Sequence, residues 1–512
     1  MNKTISISIR VSEKDLNKIK EAAEIESYSS YSEFIRRTAL IEADRVIEKE
    51  RNKAKEYKEE RLENQMANKK SFVLKNNEYY KKSLIDINKL QCEKEFWNVD
   101  ETISELSYLT HDYFRYYGKF PSKIGKMILE DLIDKNVIEK DKDFIIDNYA
   151  GSGTSLVEAK LAGFDSLGFD INPFAVLACR VKTYNYDTLI LKDMWEEIKE
   201  EINKYNNHYR GGLFSELITD LDSSIISEID EQTRIINEQE TFSKWFSENV
   251  IRQLYIIKRT LLSFELTRER EFFDLGFFAI VRRVSRAHDA EVRPHVNKRK
   301  RERDAIEAFV KKINEMIFTM DEWNQASSKK VFSDASIVNN SNNEEVFEQI
   351  QRCNKETKKQ LGAVLSHPPY LNCFDYISVY KLKFIWADGF DEIFGCKSYD
   401  EIKKSEIKSY PVNNDDAIFR YFEHNYKAYK TIYENLKEGG YCCIVIGDCT
   451  VKGELFSVHK VFISMMEELG FTLTKLAYRS TSYGMGRYAY SFRADYSENE
   501  NSKQDAILFF KK

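Results

Sequence analysis

The sequence predicts an α/β protein built on an open, largely parallel sheet. Three runs of residues carry that prediction. Asp143-Phe144-Ile145-Ile146 is a short apolar stretch that reads as a buried parallel strand; it passes through the glycine loop Asp147-Asn148-Tyr149-Ala150-Gly151-Ser152-Gly153-Thr154 into the helix-forming Ser155 to Leu161. Ser166-Leu167-Gly168-Phe169 reads as a second strand and ends in the acidic Asp170. Leu361-Gly362-Ala363-Val364-Leu365 reads as a central strand, with His367-Pro368-Pro369-Tyr370 at its C-terminal end. In open α/β sheets that end of the strands carries the ligands.

From the N-terminus, Thr4-Ile5-Ser6-Ile7-Ser8-Ile9-Arg10-Val11 alternates polar with apolar residues, giving a strand with one apolar face and Thr4, Ser6, Ser8 and Arg10 on the other. Ser12 with Asp15 reads as a helix cap for a helix to about Glu26, and Ser30 with Glu33 as the start of another. This order resembles a ribbon-helix-helix domain, in which two chains pair their strands and lay the polar face in the DNA major groove. The resemblance implies that Thr4, Ser6, Ser8 and Arg10 face DNA. Residues 1–45 are too few to bury a core unaided, so it also implies a homodimer through this segment. Residues 46–95 form a charged helical linker, dense in Glu, Lys and Arg as far as about Lys70. Residues 96–185 hold the glycine loop and the first strands.

Residues 186–329 read as a helical insertion, with apolar stripes such as Trp245, Phe246, Val250, Leu254 and Ile257. Its most charged stretch includes Arg282, Arg283, Arg286, Arg293, Lys298, Arg299, Lys300, Arg301 and Arg303, diluted by Asp289, Glu291 and Glu302. Arg293, Lys298, Arg299 and Arg301 are its candidate phosphate contacts. Residues 330–512 complete the sheet.

The two loops that end the strands suggest a chemistry. Gly151 and Gly153 carry no β-carbon, so the chain can turn tightly and its amides can approach a ligand closely. Asp170 stands at the spacing where such folds bind ribose hydroxyls. The loop has Gly-x-Gly and no third glycine, which argues against a dinucleotide pyrophosphate and for a cofactor without phosphates, a description that S-adenosylmethionine fits. Two consecutive prolines fix the backbone of the tetrad and donate no amide hydrogen, so the neighbouring carbonyls point in a defined direction. A rigid carbonyl and a side-chain acceptor are what an exocyclic amine needs, because accepting its two hydrogens helps localise a lone pair otherwise delocalised into the ring. Tyr370 would then stack on the base.

These segments resemble the S-adenosylmethionine-dependent DNA amino-methyltransferases that modify N4 of cytosine or N6 of adenine. Asp147 to Thr154 is similar to the family's Asp-Pro-Phe-Ala-Gly-Ser-Gly-Thr loop, Gly168 to Pro173 to its ribose-binding segment, including Asp170 and Ile171, and His367 to Tyr370 to its catalytic Ser/Asp/Asn-Pro-Pro-Tyr/Phe tetrad. Gly118-Lys119-Phe120-Pro121 is similar to the motif that forms the methionine end of the cofactor pocket. Val331 to Ala335 is similar to the segment that contacts the adenine through Asp334 and Ala335. The resemblance implies a Rossmann-like class I methyltransferase sheet, with cofactor contacts from Lys119, Phe120, Pro121, Asp147, Ala150, Gly151, Ser152, Gly153, Thr154, Asp170, Ile171, Asp334 and Ala335. It implies catalysis by His367, Pro368, Pro369 and Tyr370, direct attack of the amine on the methyl group and no metal. It also implies double-stranded DNA as partner, with a cognate restriction endonuclease beside it. The ordered series of motifs covers residues 96–185 and 330–512 and is more specific than any one member.

His367 departs from the family pattern. It accepts a hydrogen bond only through an unprotonated nitrogen, so with an ordinary pKa of about 6.5 activity is expected to fall in acid. The substitution removes the residue that usually indicates the target. The surrounding Ser366 to Asn372 looks closer to the Thr-Ser-Pro-Pro-Tyr type, which favours cytosine N4 slightly. Two rival readings stay open: a ribbon-helix-helix regulator whose inactive methyltransferase fold senses the cofactor, and an RNA base methyltransferase. The insertion reads as the target-recognition region, with residues 390–425 as the rival.

Composition adds less. The 512 residues allow about two or three domains. A net charge of −6 provides no global basic field, so any DNA affinity must come from local patches. The eight cysteines form no metal-type pairs, and Cys442-Cys443 reads as core. No apolar run approaches about eighteen residues and no secretion signal is evident, so a cytoplasmic protein without a membrane partner is expected.

Overall fold

The computed structural model describes residues 12–27, 29–35, 37–39 and 42, residues 73–480 apart from 98, 100, 103, 120, 211–220, 290, 374 and 396, and residues 504–512. The chain divides into two compact units, Met1–Val73 and Leu74–Lys512.

In the first unit, helix α1 (Glu13–Ile25) begins where the Ser12 hydroxyl accepts the Asp15 amide hydrogen at 3.2 Å. A second helical stretch, residues 31–35 and 37–39, begins where the Ser30 hydroxyl accepts the Glu33 amide hydrogen at 3.2 Å. Both starts fall where the Ser-x-x-acid spacing places them. The expected strand with Thr4, Ser6, Ser8 and Arg10, and the charged run through residue 72, lie outside the described residues.

The second unit is organised by an eight-stranded sheet in the order β1-β9-β10-β6-β5-β2-β3-β4. The strands are β1 (Glu93–Phe96), β2 (Asp143–Asp147), β3 (Asp165–Asp170), β4 (Ser333–Ile337), β5 (Gln360–Ser366), β6 (Tyr441–Gly447), β9 (Thr472–Ser480) and β10 (Gln504–Lys511); β7 (Cys449–Val451) and β8 (Glu454–Phe456) make a separate two-stranded ribbon. From β4 through β3, β2 and β5 to β6 every pairing is parallel, whereas β10 is antiparallel to both of its neighbours, β6 and β9. The chain builds outward from β2 first to β3 and β4, then returns to the other side of β2 with β5 and β6. That reversal makes the β2–β5 boundary the topological switch point, where open sheets form their ligand crevice. Asp147 at the end of β2 pairs with Leu365 near the end of β5, so the glycine loop and the tetrad leave the sheet side by side. The architecture is the mixed α/β, mostly parallel sheet that the sequence predicts.

The apolar strands need cover on both faces, and helices provide it. One face packs Ile145, Leu365, Cys443, Val445 and Phe509 against Ile124, Ile128 and Leu132 of α2 (Ser122–Asp134), so Cys443 is core as expected. On the other side of the loop, Leu156 of α3 (Thr154–Leu161) packs with Ala150, Ala335 and Val176 of α4 (Pro173–Thr183). Between α4 and β4 come the helices of the expected insertion: α5 (Thr188–Arg210), α6 (Ser223–Glu238), α7 (Glu248–Leu262), α8 (Arg268–Val284) and α9 (Ala305–Ala326). Trp245, Phe246, Val250, Leu254 and Ile257 are all buried there. Helix α8 is buried on nearly every side and rests on α4 through an edge-on Phe278–Phe174 pair with centroids 4.9 Å apart. Helices α10 (Tyr376–Val379) and α11 (Asp415–Asn435) follow β5.

Residues 74–95, which sequence reading assigns to the end of the linker, lie in the second unit. Leu74 is buried, the Asn77 side-chain amide donates to Asp415 at 2.7 Å, and the Tyr80 hydroxyl donates to Glu454 at 3.0 Å.

Candidate active site

The glycine loop and the tetrad open into one cavity of about 810 Å³, its open mouth included. Its loop side is lined by Ala150, Gly151, Ser152 and Thr154, with Lys119, Asp170 and Ile171 beside them; its tetrad side is lined by His367, Pro368 and Pro369.

On the loop side the backbone does the work. Gly151 and Gly153 have φ of +50° and +76°, a region costing other residues roughly 1–2 kcal/mol. A β-carbon on Gly151 would lie 3.0 Å from the Tyr116 ring, and one on Gly153 would lie 3.0 Å from the Cys179 sulfur and 3.2 Å from its Cα. The Asp170 carboxylate closes the loop by accepting the Gly151 and Asn172 amide hydrogens at 2.9 and 2.8 Å. Burial pushes this carboxyl up to about 6 despite those two bonds, and pushes Asp147, which accepts the Tyr149 amide hydrogen, up to about 7.

Beneath the loop lies a buried polar cluster that sequence reading did not anticipate. The Lys182 ammonium donates to the Ser152 carbonyl at 2.5 Å, Lys119 donates to the His111 carbonyl at 3.1 Å, and Glu158 lies 2.7 Å from His111 Nε2 and accepts the Tyr108 hydroxyl at 2.5 Å. Burial brings Lys119 down to about 8 and lifts Glu158 to about 7. The residues present fit a nucleoside with a charged amino-acid tail. An acidic side chain stands at the strand end, Lys119 also lines the cavity, and the buried Ser152 hydroxyl has no hydrogen-bond partner among the described residues.

The tetrad is held differently, by tyrosine hydroxyls, one six residues further along the chain and one from a remote helix. The Tyr421 hydroxyl, on α11, donates to the Pro369 carbonyl at 2.7 Å. The Tyr370 amide, the first donor after the two prolines, bonds the Tyr376 hydroxyl at 3.0 Å. The Tyr370 ring stands edge-on to His367, and its hydroxyl lies 2.9 Å from His367 Nε2. If that hydroxyl donates, a neutral His367 carries its proton on Nδ1; if Nε2–H donates, Nδ1 is the acceptor. Tyr370 is not among the cavity-lining residues, whereas Tyr376 is.

Of the other expected cofactor residues, Pro121 precedes α2, and Asp147 and Gly153 shape the loop from behind without lining the cavity. Phe120 lies outside the described residues. Asp334 and Ala335 do not reach the cavity: Asp334 sits 3.1 Å from Arg352 and 3.5 Å from Arg180, and Ala335 is core. Asn340, just beyond β4, lines the cavity in that region. Tyr116, Ile377, Ser405, Glu406, Ile407 and His424 also line it without having been singled out from sequence. Tyr116, two residues before Gly118-Lys119, carried a positional hint; Ser405, Glu406, Ile407 and His424 fall within residues 390–425, read from sequence only as the rival recognition region. Glu406 accepts the Ile377 amide hydrogen at 3.0 Å and pairs with Lys403 at 2.6 Å, and burial still pushes it up to about 7.

Arg293, Lys298, Arg299 and Arg301 are exposed on the loop joining α8 to α9. The loop folds as a hairpin with an Ala287–Val296 bridge, wrapped on the Arg282 guanidinium, which donates to the carbonyls of Val292 at 2.7 Å, His288 at 3.2 Å and Glu291. Arg293 lies over the Tyr410 ring at 4.5 Å, close in sequence to the cavity-lining Ser405 to Ile407. Part of the basic run is therefore structural: Arg282 holds the hairpin, and Lys300 and Arg303 are committed to Asp289 at 2.7 and 3.0 Å.

Comparison with known proteins agrees with this geometry. A family model described as DNA methylase, of the N6/N4 amino-methyltransferase type, matches residues 8–180, which include the glycine loop and Asp170. The type II methyltransferase M.MvaI of Kocuria varians is 26% identical over 268 residues, 51% of this chain and 53% of that protein. The type II methyltransferase M.MjaII of Methanocaldococcus jannaschii is 26% identical over 210 residues, 38% of each chain. The chain thus spans about half the length of these relatives or less. No helix among the described residues is long and apolar enough to cross a membrane. A switch-point cavity formed by the glycine loop and the Pro-Pro tetrad thus accompanies these similarities, and over its first third the chain is similar to the amino-methyltransferase family of DNA methylases.

Proposed function

We propose that this chain methylates the exocyclic amine of a base turned out of duplex DNA, with cytosine N4 slightly ahead of adenine N6, as the modification partner of a restriction endonuclease. The observation that carries the reading is the single cavity shared by the glycine loop and the tetrad at the ends of adjacent strands. S-adenosylmethionine, when bound, supplies an electrophilic methyl group on a sulfonium. Asp170 would accept the ribose hydroxyls, the loop amides and Ser152 would border the nucleoside, and Lys119 would face the amino-acid carboxylate. The Pro368 carbonyl and a neutral His367 accept hydrogen bonds from the target amine and orient its lone pair, and His367 can take up the proton released as the new N–C bond forms. Tyr370 positions His367 through its hydroxyl, and the Tyr376 ring is the nearer stacking surface for the base. Tyr421 and Tyr376 hold the tetrad backbone so that it does not reorganise during the reaction.

The exposed Arg293, Lys298, Arg299 and Arg301 would contact DNA phosphates at the mouth of the cavity, and the N-terminal unit would pair with a second copy on DNA. The test is modification-sensitive long-read sequencing of DNA from a methylation-free bacterial host expressing the chain, beside a Tyr370→Ala control. One motif modified at cytosine N4 or adenine N6, absent in the control, is expected; unmodified DNA from well-expressed, cofactor-binding protein would overturn the reading in favour of a cofactor-sensing regulator.

A further inference from the structure

A second cavity, open to solvent and of about 1220 Å³, lies behind the wall of the first. Tyr116 and Tyr117 are consecutive but line different cavities, Tyr116 the catalytic one and Tyr117 the second. Between them stands the buried Tyr380, stacked on Tyr116 with centroids 5.2 Å apart and accepting the Tyr117 amide hydrogen at 3.0 Å. The segment after the tetrad is divided in the same way: Tyr376 and Ile377 face the reaction, while Val379 to Lys383 contribute to the second cavity.

The second cavity is strongly basic. Arg115, Arg282, Arg283, Lys312 and Lys383 line it; Lys383 and Arg282 are only 6% and 8% exposed. Their partners are carbonyl oxygens: Lys383 donates to Phe278 at 2.5 Å, Lys312 to Asp112 at 2.8 Å, Arg115 to Asp289 at 3.2 Å, and Arg282 to the hairpin. None of these four has an ion-pair partner among the described residues. Of the acids that also line the cavity, Asp289 is spent on Lys300 and Arg303, and Asp112 and Glu315 are exposed. Carbonyl dipoles solvate the two buried cations, Lys383 and Arg282, without neutralising them, and with the half-buried Lys312 and the exposed Arg115 and Arg283 beside them the lining carries more positive than negative charge, which an anion would balance. Two donors await an acceptor in the same place. Arg282 Nε and the Tyr117 hydroxyl are buried without hydrogen-bond partners among the described residues, and the Arg282 guanidinium lies 4.9 Å from the Tyr117 ring centroid. Burial, with Arg282 and Arg115 alongside, brings Lys383 down to about 7, as expected in an electropositive well.

We propose that this second cavity holds a phosphodiester oxyanion of the DNA strand whose base enters the catalytic cavity. The inference rests on the methyltransferase reading and adds to it a phosphate clamp built from the helical insertion, separated from the reacting base by the Tyr116–Tyr380 wall. A flipped nucleotide keeps its backbone phosphates, so a site that neutralises one of them fixes how deeply the base can swing in.

The experiment measures duplex-DNA affinity across a range of potassium chloride concentrations for the full chain, Lys312→Met and Arg283→Ala; Arg283 is exposed, so that variant should fold normally. Each variant is expected to weaken DNA binding about equally for all sequences and to lower the slope of log affinity against log salt by about 1 unit, with S-adenosylmethionine affinity unchanged. A second arm follows the melting temperature with inorganic phosphate. If the parent protein methylates DNA but both variants keep its salt slope, the clamp is overturned and the methyltransferase reading stands. If inorganic phosphate stabilises the parent and not Lys312→Met while the DNA slope is unchanged, the site belongs to a free phosphate compound and the DNA assignment is overturned. If the parent binds no DNA, both fail.

Discussion

The two halves of the catalytic cavity are made in different ways. The loop side is a backbone structure: Gly151 and Gly153 take left-handed conformations beside Tyr116 and Cys179, and Asp170, nineteen residues beyond Gly151, ties the loop shut. The tetrad side is a side-chain structure, in which a stiff Pro-Pro segment is pinned by hydroxyls of Tyr376 and Tyr421, the latter 52 residues from its partner Pro369. A cofactor common to many enzymes can be met by a local, nearly self-sufficient turn. An amine that must be oriented for attack needs a rigid acceptor, and rigidity has to be imported from elsewhere in the fold.

The sharpest way to break this comparison is Gly153→Ala. Left-handed strain and the approach to the Cys179 backbone should weaken S-adenosylmethionine binding at least about tenfold by calorimetry. Binding equal to that of the parent would mean that the loop is not built by its backbone.

Acidification tests the same half. Asp170 has its carboxyl raised by burial to about 6, and only the ionised form accepts both ribose hydroxyls, so affinity should hold above pH 6 and fall by about tenfold at pH 5. Asp147 and Glu158, each raised to about 7 by burial, bind protons more tightly folded than unfolded; their share of the folding stability therefore grows as pH falls. A loss of affinity near pH 5 with an undiminished melting temperature is then a site effect, and a flat affinity from pH 5 to 8 would remove Asp170 from the cofactor site.

On the tetrad side, Tyr421→Phe deletes one hydroxyl and leaves the ring. Loss of a single hydrogen bond to a reacting segment should lower kcat by about three- to tenfold with cofactor affinity intact. Equal losses in kcat and cofactor affinity would show that the two halves are not independent.

The smallest effect is expected from removing residues 1–73, the first compact unit. Turnover on saturating DNA should stay within about twofold while DNA affinity falls, since separately folded units contribute separately. The cut belongs at residue 74: a later start would remove Asn77 and Tyr80, which anchor to Asp415 and Glu454. Lost sequence specificity in this truncation would move target recognition out of the helical insertion.

Much of the site was legible in the sequence because its motifs are contiguous. Asp143 to Thr154, Ser166 to Asp170 and Leu361 to Tyr370 each encode a strand and the loop leaving its end, and apolar runs between turn residues are enough to place them on a parallel sheet. The serine caps at Ser12 and Ser30 are likewise local. What sequence could not supply is whatever depends on meeting across the fold. Asp334 stands at the family's position but is turned toward Arg352 and Arg180, and Asn340 takes the lining place. The basic run from Arg282 to Arg303 reads as one surface, yet Arg282 is the buried post of a hairpin, Lys300 and Arg303 are spent on Asp289, and Arg293, Lys298, Arg299 and Arg301 remain outside. The sequence by itself determined which strands carry the glycine loop and the tetrad and which residue types stand at their ends, because backbone conformation and burial pattern are local properties. Only the tertiary structure decided which tyrosines hold the tetrad and which cations gather behind it, because hydrogen-bond partners and electrostatic neighbours depend on which distant segments share a wall.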